Sequence, residues 1–110
     1  MPRSPESMTE ALQRFQARGF THELRADRGL LREVATGQLH EPEQLGIAEL
    51  VRFEGSSDPD EMAILFALEI QPGRPLGTYS TVFGPGTPPE DAEIVRRLGQ
   101  RRAPHRTTSP

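Results

Sequence analysis

Apolar residues recur along this chain with two periods, and each change of period marks a new element. In "SMTEALQRFQARGF", Met8, Leu12 and Phe15 repeat at helical spacing. Ser7 followed by Glu10 has the spacing of a capping box, and Gly19 with Phe20 has the form of a Schellman stop. "FTHELRAD" then alternates: Phe20, His22, Leu24 and Ala26 fall on one face, and Thr21, Glu23, Arg25 and Asp27 on the other. That is the pattern of a half-buried strand. After a turn at "DRG", "LLREVATG" reads as a strand ending at Gly37, although Leu30, Leu31 and Val34 would also suit a helical turn. Residues 30–36 therefore stay open between the two.

"QLHEPEQLG" is a connection broken by proline, and Ile47 to Glu54 reads as a strand from its β-branched and aromatic content. The next segment carries conflicting signals. Asp58, Pro59 and Glu61 form a helix-start signature, and Met, Ala and Leu favour helix. "MAILFALE", however, is apolar all round, and a small domain has no room to bury every side of a helix. Its even positions, Met62, Ile64, Phe66, Leu68 and Ile70, are all large, whereas Ala63 and Ala67 are small and Glu69 is charged. Period two with one large face predicts a central strand. "QPGRPLG" is a hairpin connection, and "LGTYSTVF" is the last strand. In "TPPEDAEIVRRLG", Thr87 is placed to cap a helix, with Pro88 first and Glu90 closing a capping box. Ile94, Val95 and Leu98 make its apolar stripe, and Gly99 stops it. With residues 30–36 open, the expected architecture is α+β: a four-stranded, mainly antiparallel sheet in α-β-β-β-β-α order, with both helices packed on one face.

Composition narrows the functions available. At 110 residues there is one domain, expected over 7–99, with disordered tails at 1–6 and 100–110. The second tail is basic through Arg101, Arg102, His105 and Arg106, and a solvated tail is the plain reading of it. Net charge is −3, every one of the 13 basic residues is arginine, and aromatics make up only 5%. An acidic chain with few stacking rings is poor material for nucleic-acid binding, and none is expected. The absence of cysteine removes disulfides, thiolate metal sites and thiol nucleophiles. The apolar run from Met62 to Leu68 is far short of the about 20 residues that span a bilayer, and the N-terminus lacks a signal-peptide core. The expected location is the cytoplasm, without membrane association.

Candidate chemistry centres on "RFEGSSDPDE", residues 52–61. Arg52 and Glu54 are two apart on a strand and share a face, and Asp58, Asp60 and Glu61 follow in an acidic loop. The loop lacks the regular ligand spacing and central glycine of a calcium-binding EF-hand, and turn-and-cap chemistry accounts for Ser57, Asp58 and Pro59. No metal and no cofactor are expected. His22, on the Phe20–Leu24 face, reads as a hydrogen-bonded core histidine, and His40 sits in a connection without a second ligand at strand or helix spacing. If a ligand site exists, Arg52, Glu54, Asp58, Tyr79 and His22 are its first candidates.

"ALQRFQARGFTHEL", "LHEPEQLGI" and "RFEGSSDPDEMAILFALE" together resemble a family of small bacterial proteins of about this length, often labelled phosphoribosylpyrophosphate synthetase. The resemblance covers about residues 8–98. Departures include Val51 where an aromatic is usual, one extra residue in the stretch His40 to Gln44, and Thr81 and Phe83 in place of an acid and a phenol. The label implies phosphoribosyl chemistry, which needs an acidic pair, a Thr/Gly run cradling the 5-phosphate, and an ATP site. No such run and no glycine-rich phosphate loop occurs here. The function expected from the residues is a non-enzymatic binding or assembly module, with a protein partner or self-association. The alternative is a small hydrolase or metal-dependent enzyme that uses the 54–61 loop with a histidine.

Overall fold

The computed structural model describes residues 6–53 and 62–106, without the side chains of Phe83 and of 99–106. Helix α1, Met8–Ala17, begins as its sequence dictates: the Ser7 side chain accepts from the Glu10 amide and the Glu10 side chain accepts from the Ser7 amide. It ends in the expected Schellman pair, with the Phe20 amide donating to the Phe15 carbonyl and the Gly19 amide to the Gln16 carbonyl. Strands β1 (His22–Asp27) and β2 (Leu30–Glu33) form a hairpin, so the open segment is a strand over Leu30–Glu33 and a turn over 34–36. Its turn places both Arg28 (φ 55°) and Gly29 (φ 84°) in the left-handed region, as a type I′ turn requires. Then follow β3 (Leu39–His40), a 3-10 turn over Pro42–Gln44, β4 (Gly46–Phe53), β5 (Met62–Gln71), β6 (Arg74–Phe83) and helix α2 (Pro89–Arg106).

The sheet overturns the expected architecture. It has six strands, in the order β3-β2-β1-β6-β5-β4, rather than four. It is mixed, because β1 lies parallel to β6 while the other neighbours are antiparallel. The expectation of both helices on one face also fails. Ile64, Phe66 and Leu68 pack with Ile94 and Leu98 of α2, whereas Leu65 and Ala67 pack with Ala11 and Phe15 of α1. Successive residues of a strand point to opposite faces, so the helices cover opposite sides of β5. This explains why β5 is apolar in both registers: it is a central strand buried on both faces.

The start of α2 is likewise different. The Thr87 hydroxyl accepts from the Gly84 amide (2.9 Å) and donates within the turn that follows β6, so it does not cap the helix. Glu90 instead accepts from the Arg28 amide, tying the β1–β2 turn to the first turn of α2. The helix continues past Gly99 to Arg106. Arg97 links the β1–β2 turn to the 3-10 turn, with a forked pair to Glu43 (2.6 and 2.7 Å) and a bond to the Gly29 carbonyl (2.6 Å). No helix among the described residues is long and apolar enough to cross a membrane.

Candidate functional site

The contact between β1 and β6 is short and decides the shape of the molecule. Only His22↔Gly77 and Glu23↔Thr78 are in parallel register. Beyond them β1 pairs with β2 and β6 with β5, so two three-stranded half-sheets diverge from a common vertex. Gly77 makes that vertex possible. A Cβ at this position would lie 2.1 Å from the His22 carbonyl oxygen, inside any tolerable contact.

A cleft of about 590 Å³ opens where the half-sheets part. It is lined by β1 from His22 to Ala26, by Thr78, Tyr79 and Ser80 of β6, by Leu12 and Gln16 of α1, and by Glu90 and Asp91 of α2. This is the carboxyl end of two parallel strands, where open α/β sheets place their ligands. Its size is within the usual range for small-ligand sites. The backbone also takes part. The Glu23 carbonyl accepts from the Val34 amide, so Glu23 faces β2 and the alternate residues Leu24 and Ala26 turn their peptide groups toward the gap. On β6 the Val82 carbonyl accepts from the Thr87 hydroxyl, and Ser80, two residues beyond the β1-paired Thr78, turns the same way, toward the gap.

Two polar side chains in the cleft wall are buried. Tyr79 stacks on Phe66 (ring centroids 5.9 Å apart) and donates its hydroxyl to Asp91. Burial, and then the Asp91 carboxylate beside it, push the phenol up, so it stays a donor. Thr78, next to it on β6, is only 7% exposed.

Behind the vertex lies a second cluster that sequence reasoning missed. Glu33 is 4% exposed. One carboxylate oxygen meets His40 Nε2 at 2.7 Å; the other accepts from the Thr36 hydroxyl at 2.8 Å and has His22 Nδ1 at 3.5 Å. Burial raises its pKa, but the bonds from His40 and Thr36 and the nearby imidazoles outweigh it, holding the carboxyl below its ordinary 4.5. The two histidines thus converge on one carboxylate across the β1–β2–β3 ladder. The signal was present in "LLRE", where Glu33 occupies the same alternation as the core residue Leu31. Among the described residues, no three His, Cys, Asp or Glu side chains are placed to hold a metal ion.

A carboxyl with a depressed folded pKa stabilises the fold above its unfolded pKa, and that contribution is lost as pH falls through the folded value. Wild type should therefore lose stability on acidification below about pH 4.5 partly through Glu33. In Glu33→Gln this part of the acid limb should vanish. Denaturant unfolding of both proteins across the acid range measures the difference, and parallel curves would remove Glu33 from the account.

No family model, curated protein or solved structure matches the chain. Of the residues singled out from the sequence, His22 and Tyr79 both line the cleft. Arg52 is exposed on β4, aligned with Ile64 and Thr81 across the sheet, and is not among the lining residues. Glu54, Asp58, Asp60 and Glu61 lie outside the described residues.

Proposed function

We propose that the protein is a non-enzymatic binding module whose ligand sits between the two half-sheets. The observation that supports this most strongly is the divergence of β1 and β6 after two residue pairs, which opens a polar cleft at their carboxyl ends. The wall combines the largely buried Thr78, a phenol fixed by Asp91, and strand backbone turned toward the gap. Such a set of fixed polar groups in a concave site orients a ligand. The neighbouring Glu33 cluster brings side chains of β1, β2 and β3 together behind the vertex.

The test is a protein-observed NMR screen of small polar fragments against the full chain. Fragments that bind are expected to shift the amides of His22–Ala26 and Thr78–Ser80 together. Binding confined to the outer strand β4, or none with either fragments or peptides, would overturn the reading.

A further inference from the structure

Resting on the cleft reading, we infer that the ligand is an extended peptide segment, held by strand pairing at the gap between β1 and β6. A strand paired on one side only presents amides and carbonyls alternately on the other. Ala26 on β1 and Ser80 on β6 are such residues: each lies beyond the last register pair and turns its peptide group toward the gap. The two strands run parallel, so one segment antiparallel to both pairs with each in the stronger antiparallel mode. An extended peptide matches this because its own peptide groups point alternately to either side, one toward β1 and the next toward β6.

Side chains fit the same occupant. An inserted strand directs its side chains above and below the sheet, not toward its neighbours. Above the gap on the α1 side are Leu12 and Gln16, and Thr78 lines the same cleft. The gap closes at His22 and Gly77, so it takes a short segment that ends at the vertex, not a long strand passing through. Main-chain pairing supplies affinity, and the few side-chain positions supply selectivity.

The experiment uses a library of linear peptides displayed on phage and selected on the full-length protein, followed by titration of synthetic hits into isotopically labelled protein. The expected result is slowed exchange and shifted resonances for the amides of Ala26 and Ser80, with the Gly46–Phe53 amides of β4 unmoved. N-methylation of one central amide of the hit peptide should weaken binding by about tenfold, the effect of losing one well-formed hydrogen bond. This modification acts on the ligand alone and leaves the protein's folding untouched. Two results would overturn the peptide assignment: hits that bind along β4, and affinity indifferent to N-methylation at every position. Polar fragments that shift Ala26 and Ser80 when no peptide does would also overturn it, and would leave the cleft as the site of a small molecule.

Discussion

Gly77→Ala is expected to destabilise the protein by about 3 kcal/mol, the upper end of the usual overpacking cost. The added methyl meets the His22 carbonyl oxygen at 2.1 Å and the carbonyl carbon at 2.8 Å. Both are backbone atoms in a strand, so neither has a rotamer through which to escape. Relief requires β1 to move away from β6, and only two residue pairs hold those strands together. The tie through α2, from Tyr79 to Asp91 and from the Arg28 amide to Glu90, resists that movement, so the clash is not relieved cheaply. Urea unfolding followed by circular dichroism measures the loss, with exposed Ser80→Ala as control, expected within about 0.5 kcal/mol of wild type. A Gly77→Ala protein as stable as the control would mean that the two strands do not approach so closely. Because the cleft begins at this vertex, the variant should also lose any ligand that shifts Ala26 and Ser80.

Local chemistry made some of this architecture legible, and long-range pairing hid the rest. The start and stop of α1 were readable because capping concerns residues three to six apart, and Ser7, Glu10, Gly19 and Phe20 carry the whole signal. The strand over Met62–Gln71 was readable from its alternation. The large-versus-small reading of that strand passed over Leu65, however, which is as buried as Leu68 and faces the other helix. A large residue in each register was the available sign that both faces are covered. The parallel contact of β1 with β6 had no local marker except Gly77, a glycine inside a strand pattern. The two-residue strand β3 is too short for any period to appear.

The candidate site divides the same way. Tyr79 and His22 stood out by residue type, and the fold brings both to one cleft. Thr78, Ala26 and Ser80 carry no distinctive chemistry in sequence. Their importance comes from where strand pairing stops, which is a property of the assembled sheet. Glu33 was overlooked because an acid beside an arginine reads as solvated, while its partners His22 and His40 lie eleven residues before and seven after it.

The second large effect tests the two-sided core. Phe66→Ala should cost about 3–5 kcal/mol, the usual price of deleting a buried phenylalanine. Phe66 is 2% exposed in the cluster that joins β5 to α2, and its ring stacks on Tyr79 at an interplanar angle of 19°. Phe15→Ala should cost a similar about 3–5 kcal/mol, through the separate cluster beneath α1, where Phe15 meets Phe20 edge to face. Together these losses reach the whole stability of an ordinary small domain, about 5–15 kcal/mol, so the double alanine variant is expected to be unfolded. The milder pair Phe15→Leu and Phe66→Leu is the sharper test. The two rings belong to different clusters on opposite faces of β5, so their costs should add to within about 0.5 kcal/mol. Had both helices shared one face, the rings would share neighbours and their costs would couple. A coupling above about 1 kcal/mol in that double-mutant cycle would place both rings in one core and argue against the three-layer arrangement on which the cleft depends.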